Sequence, residues 1–267
     1  PTSGVRAGIY GRVELQFLPN IRLDDVFVQT YVADKQFVLE LTLLNKSDHD
    51  QTVTPMATVF DNEGVPSCEL QDQPVTVKAG QTKVITLKKD WIADHLWSPE
   101  IPYLYNVRVQ LRQNNQPVDM VQIPFGFREF TIKGTDFYLN GNKTRLLRIS
   151  HLTYIPADVE KALTGDIRSG TMREKSGRSI NSVRFHLGFN NEHQIRACDQ
   201  LGFMAIPESG WYHVKEYNER GREKFLPNVL EYMERWIKLY RNHPSIVMWS
   251  LTNEHFWGRT GDVEMSI

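Results

Sequence analysis

The chain has 267 residues, 40% of them hydrophobic, and 31 Lys and Arg stand against 32 Asp and Glu for a formal charge of −1. That composition belongs to a globular protein with material for one large core or two ordinary ones, and it excludes a disordered chain. The even charge balance sets up no global field for nucleic acid or an anionic membrane, and no apolar run approaches the roughly 20 residues that span a bilayer.

The first residues, PTSGVRAGIYGR, lack the basic, apolar and small-residue segments of a secretory signal. Cys68 and Cys198 fall in different halves of the chain, with no second Cys or His at zinc-finger spacing, so they read as buried free thiols. Their scarcity leaves the compartment open between cytoplasm, periplasm and exterior.

Up to about Phe125 the hydrophobic period is two. In KQFVLELTLLN, Phe37, Leu39, Leu41 and Leu43 share one face, and Tyr105, Val107, Val109 and Leu111 alternate with Asn106, Arg108, Gln110 and Arg112. Turn signals at Asp61-Asn62-Glu63-Gly64, Ala79-Gly80 and Asn114-Asn115, with the proline-bearing stretch Trp97 to Pro102, separate short strands at the spacing of an immunoglobulin-like sandwich. The Cys, Trp, Cys pattern of antibody domains is missing, so only the architecture is implied.

After Phe125 a small hairpin is expected, with Asn140-Gly141 supplying its two positive-φ positions. Strands and helices then alternate. RLLRIS, NSVRFH, FMAIPE and SIVMWSLTNE read as parallel strands buried along their length and polar at their C-terminal ends. Between the second and third, Asn190-Asn191 caps a helix bearing Ile195, Cys198 and Leu201, which Gly202 stops. Before the fourth, Pro227 suits the first turn of a helix whose stripe is Val229, Leu230, Met233, Trp236, Ile237 and Tyr240, with Glu231–Arg235 and Glu234–Lys238 as outer pairs. TMREKSGRSI, poor in apolar residues and interrupted by Gly177, makes a weak first helix. The alternation implies a parallel sheet, either doubly wound or closed as a barrel, and the absence of a Gly-rich phosphate loop disfavours a nucleotide-binding doubly wound fold.

Both architectures collect their sites at the C-terminal ends of the strands. The candidates are Arg148 and His151 on the first strand, Arg184, His186 and Asn190 on the second, Glu208 on the third, and Asn253 and Glu254 on the fourth. Glu254, beside apolar walls, suits a carboxyl held protonated as a general acid for glycosidic cleavage. Glu208 is the other carboxylate of the mouth; such a group shares a proton, binds a cation or pairs with an arginine, and Arg184 and Arg148 are at hand. No His-x-His or His-Glu-x-x-His spacing points to a metal. Trp211, Trp249 and Trp257 read as sugar-stacking or core residues, and His243 beside Pro244 as a helix-end cap.

RNHPSIVMWSLTNE, residues 241–254, resembles the acid/base signature of glycoside hydrolase family 2, the β-galactosidases, β-glucuronidases and β-mannosidases. GIYGRVEL, WSPEIPYLYNVRVQL, GFREFTIKGTDFYLNGNKTRLLR, NSVRFH and ACDQLGFMAIPE follow in the family's order. The resemblance implies the end of a sugar-binding jelly roll in residues 1–20, with Gly8 to Leu18 as its last strand, an immunoglobulin-like sandwich in 21–125, and the first half of a (β/α)8 TIM barrel in 126–267. It implies a carbohydrate substrate and no cofactor, and leaves a homo-oligomer open. Because the loop Glu208-Ser-Gly-Trp-Tyr-His213 lacks the Glu-x-His of the family's magnesium-dependent β-galactosidases, no bound magnesium is expected. By position Glu254 matches the family's general acid/base, and Asn253 the asparagine that hydrogen-bonds the sugar's 2-hydroxyl. The nucleophile is expected downstream of Ile267, so this chain alone is expected to be inactive. Phe185-His186-Leu187-Gly188-Phe189 and Ile149-Ser150-His151 depart from the family's sugar-binding pattern, which leaves the glycone open among galactoside, glucuronide and mannoside. A non-catalytic sugar-binding or scaffold module is the alternative.

Overall fold

A computed structural model describes residues 13–152, 180–186, 192–210 and 219–253. The expected first helix, the Asn190-Asn191 cap, Trp211, Trp257 and Glu254 lie outside these residues.

The first layer pair is an antiparallel sandwich. One sheet runs in the order β1(Ile21–Tyr31), β2(Gln36–Asn45), β6(Thr82–Asp90). The other runs β4(Pro66–Gln71), β3(Gln51–Phe60), β7(Tyr105–Gln113), β8(Gln116–Phe125), with β5(Val75–Val77) paired to β3. Its core is the period-two set read from the sequence: Phe37, Leu39, Leu41 and Leu43 from β2 meet Tyr105, Val107, Val109 and Leu111 from β7, all buried. Asn114 and Asn115, both with positive φ, make the tight turn between Gln113 and Gln116.

Residues 13–19 form no strand in this structure, and Val13, Leu15 and Phe17 are exposed. A strand needs a neighbour for its ladder, and none of the described strands pairs with this segment.

Next comes a three-stranded meander, β9(Phe130–Lys133), β10(Asp136–Leu139) and β11(Asn142–Thr144), one strand more than the expected hairpin. Asn140 and Gly141 turn between Leu139 and Asn142 with φ of 52° and 79°, as their sequence demands.

The parallel part is β12(Arg148–Leu152), β13(Ser182–His186), α1(Glu192–Leu201), β14(Met204–Pro207) and α2(Glu219–Tyr240). The strand order β12-β13-β14 follows the sequence. The fourth run, 245–251, continues that order, pairing in parallel with β14 through bridges Ala205↔Ile246 and Glu208↔Ser250 rather than as a continuous strand. The described order therefore never reverses, which is barrel topology and leaves no doubly wound switch point among these strands.

Helix α2 departs from expectation at two places. It begins at Glu219, so Pro227 lies in its interior, where the missing N–H removes one intrahelical bond. Leu230 is 56% exposed, whereas Trp236 and Tyr240, helped by Tyr232, Met233 and Ile237, pack into the core with the strands. The Glu231–Arg235 and Glu234–Lys238 pairs form at 3.5 and 2.6 Å on the outside.

The sandwich grips the barrel strands at their N-terminal rim. Arg128 donates from Nε to the Pro244 carbonyl at 3.0 Å and from Nη2 to that of Ile246. Burial pushes this guanidinium down to about 10, with Asp199 opposing, so it stays charged at neutral pH. Asn242 plugs the open edge of β1, accepting from the Val28 N–H at 2.9 Å and donating to the Val26 carbonyl at 2.8 Å. A cavity of about 310 Å³ runs along this seam beside Thr30, Arg128 and Asn242, at the start of the fourth run and away from its C-terminal end.

Gly202 serves two purposes. Its φ of +71° ends α1, and a Cβ there would lie 2.3 Å from the Pro99 carbonyl oxygen of the sandwich. Gly202→Ala therefore combines a left-handed backbone with a backbone collision. A loss of at least about 2 kcal/mol is expected in urea unfolding; a loss below about 0.5 kcal/mol would refute the close approach.

Candidate active site

The site is built by the alternation of β13. Val183 and Phe185 point to the helices, where they pack with Ile195, Cys198, Trp236 and Tyr240. Arg184 and His186 consequently point to the opposite face, the inside of the developing barrel. On β14 the same parity sends Phe203 and Ala205 to the helix layer and brings Glu208, just past the strand, level with Arg184 and His186.

Glu208 is 0% exposed and is the hub of a charged network. Its Oε2 accepts from Arg184 Nε at 2.8 Å, from Arg184 Nη2, and from Ser250 Oγ at 2.6 Å. Its Oε1 lies 3.1 Å from His186 Nδ1. The same Arg184 Nη2 donates to Asn253 Oδ1 at 2.9 Å. Asn253 is 6% exposed, and its Nδ2 has no hydrogen-bond partner among the described residues. Three consecutive strands thus deliver a carboxylate, an arginine, a histidine and an asparagine to one mouth.

The carboxylate at the end of the third strand takes the arginine among the partners it was expected to seek, and that arginine is Arg184. Arg148 requires a correction. Rather than ending the first strand, it opens β12 level with Ser182, where Asn181 clips the preceding loop by bonding Leu147 N–H and the Arg145 carbonyl. Four residues of parallel strand, about 13 Å, separate that rim from the site. The run RLLRIS was placed too early because its apolar leucines precede the ladder rather than form it.

His151 pairs through its backbone with Phe185, near the C-terminal end, and is described by its backbone only. Trp249 packs edge-to-face on Trp236, with ring centroids 4.8 Å apart, in the helix-side core. His243 does sit at the C-terminal end of α2, but its Nδ1 meets Asp199 Oδ2 at 2.5 Å, while Asp199 Oδ1 accepts the Ser245 N–H. Cys68 and Cys198 are free and buried, and burial raises both thiols. Among the described residues no three His, Cys, Asp or Glu side chains converge as a cation site.

Ser250 was missed. Its signal is a hydroxyl inside the apolar run VMWSL, where a strand buried along its length has no use for one without a partner.

An antiparallel sandwich joined to parallel strands in sequential order, with charged and amide groups at their C-terminal ends, defines a sandwich-plus-barrel architecture. The sequence profile of glycosyl hydrolases family 2 matches residues 21–128, and that of the family's TIM barrel domain matches residues 163–265. The chain belongs to glycosyl hydrolases family 2.

A β-galactosidase of Oenococcus oeni is 26% identical over 262 residues, which take in 95% of this chain and 25% of that protein. The crystal structure of a family 2 member from Bacteroides cellulosilyticus superposes with a TM-score of 0.74 at 23% identity, covering 89% of this chain and 32% of that one. The β-glucuronidase of Bacteroides uniformis gives 0.74 at 23%, covering 89% and 29%. The chain spans about a quarter of the length of the curated relatives it matches.

Proposed function

We propose that the protein carrying this chain hydrolyses terminal β-glycosidic bonds with retention of configuration, with β-galactosides as the first substrate class. Glu254 is the general acid that protonates the leaving oxygen and then the base that activates water. Asn253 donates to a hydroxyl of the bound sugar, and Arg184 and His186 line the wall around it. Retention also requires a nucleophilic carboxylate on the other side of the anomeric carbon, about 5–5.5 Å from the acid.

The observation that carries this reading is the state of Asn253. A buried amide whose Nδ2 lacks a partner among the described residues is costly unless a ligand completes it, and a sugar hydroxyl is an acceptor that can. Its neighbour in sequence is the matched acid, Glu254.

The test uses the full-length protein with aryl β-galactoside, β-glucuronide and β-mannoside, following the first-formed sugar by proton NMR. The β-anomer should appear before mutarotation sets in. An α-anomer appearing first would refute retention, and no hydrolysis of any of the three would refute the reading as a whole.

A further inference from the structure

Position at a strand end offers Glu208 as one more group for the sugar to touch, but its surroundings give it another task. Its carboxylate is wholly buried, and both oxygens are engaged by protein groups: Arg184 and Ser250 on Oε2, His186 on Oε1. We propose that Glu208 is a positioning residue, which holds Arg184 so that Arg184 in turn fixes the side-chain amide of Asn253 toward the sugar. This rests on the glycosidase reading above and deepens it.

The orientation follows from donor chemistry. A guanidinium has five N–H donors and no acceptor, so the Asn253 atom 2.9 Å from Arg184 Nη2 must be the carbonyl oxygen. The amide NH2 then points away from Arg184, to the side where Nδ2 finds no partner among the described residues. Asn253 is thereby set as a donor. One nitrogen, Arg184 Nη2, bridges Glu208 and Asn253, so the plane of the guanidinium decides where the amide points.

That plane is set by Glu208, which takes Nε and Nη2 together on Oε2, a two-point contact that a single bond could not replace. Ser250 donates to the same oxygen at 2.6 Å and fixes the carboxylate in turn. A Gln at 208 has the right shape but no charge, and leaves a half-buried arginine without its counter-ion. Contacts to sugar hydroxyls strengthen in the transition state, so a misaligned Asn253 is expected to cost turnover more than ground-state binding.

The experiment is a mutant cycle in the full-length protein, with kcat and KM measured on one aryl β-glycoside. Wild type is assayed first. Glu208→Gln should lower kcat by about 30- to 100-fold and change KM by less than about 3-fold. In an Asn253→Ala background the same substitution should cost less than about 3-fold more, because Glu208 has lost the group through which it acts. Ser250→Ala, which removes one hydroxyl and leaves the ion pair, covers the case in which Glu208→Gln does not fold. It should cost about 3- to 10-fold in the wild-type background and almost nothing beside Asn253→Ala.

Equal losses in both backgrounds would show that Glu208 and Ser250 act on folding or on another group, and would overturn the positioning role while leaving the glycosidase reading intact. Wild-type rates in Glu208→Gln would overturn it too. A wild-type protein that turns over no β-glycoside would overturn both.

Discussion

Glu254→Gln in the full-length protein is expected to split substrates by leaving group. For alkyl and sugar leaving groups, kcat/KM should fall by about 10²- to 10⁴-fold, the usual worth of a positioned acid. For aryl glycosides with strongly acidic phenols the fall in kcat/KM should be small, because such a phenolate departs without a proton. The second step tells the same story from the other side. Without Glu254 as base, water attacks the glycosyl-enzyme slowly, so activated substrates should show a burst of phenol followed by slow turnover. Azide needs no general base and should restore the slow phase. Equal loss of kcat/KM across leaving groups would remove Glu254 from the acid role, which rests on its match to the family signature, the residue itself lying outside the described ones.

Trp97→Ala is expected to be among the most destabilising single substitutions in the chain. Trp97 is fully buried where sandwich, meander and barrel strands meet, packed with Leu139 and Met204. Its Nε1 donates to the Asp199 carbonyl at 2.8 Å, its own carbonyl accepts from Asn140 Nδ2 at 3.0 Å, and Gly126 is bare because a Cβ there would come within 2.7 Å of it. Truncation removes a large apolar group and leaves the Asp199 carbonyl without this donor, a loss of about 3–5 kcal/mol. Urea unfolding of the protein should show it as a lower midpoint. Trp97→Phe, which keeps the ring packing and deletes the donor, should recover more than half. A loss under about 1 kcal/mol for the alanine would mean that the seam is held by Arg128 and Asn242 instead.

Much of the fold was legible because its signals are local. The alternation of Phe37, Leu39, Leu41 and Leu43, and of Tyr105 to Leu111, needs only a sheet with one wet face to be decoded, and both sets are core. Asn140-Gly141, Asn114-Asn115 and Gly202 declared their turns through φ values that few other residues tolerate. Errors fell where neighbours in space overrule the sequence. Leu230 fits a helical stripe, but among the described residues it is left more than half exposed. Pro227 reads as a helix start, but the helix begins earlier and carries it inside. Arg148 follows apolar residues, as a strand end should, yet pairing with Ser182 makes it the beginning.

What the sequence by itself determined, then, is the class of each half, the polar groups available to the site, and the family, since the motif RNHPSIVMWSLTNE is a contiguous string that carries its own identity. What only the tertiary structure decided is the relation among those groups. The choice between barrel and doubly wound sheet depends on strand order, which no single segment contains. The coupling of Glu208 to Arg184, Ser250 and Asn253 depends on three neighbouring parallel strands in one register, which sets side by side residues 24 to 69 positions apart in the chain. Hydrophobic period is a property of adjacent residues and survives in one dimension; register and the direction of a hydrogen bond exist only once the strands are packed.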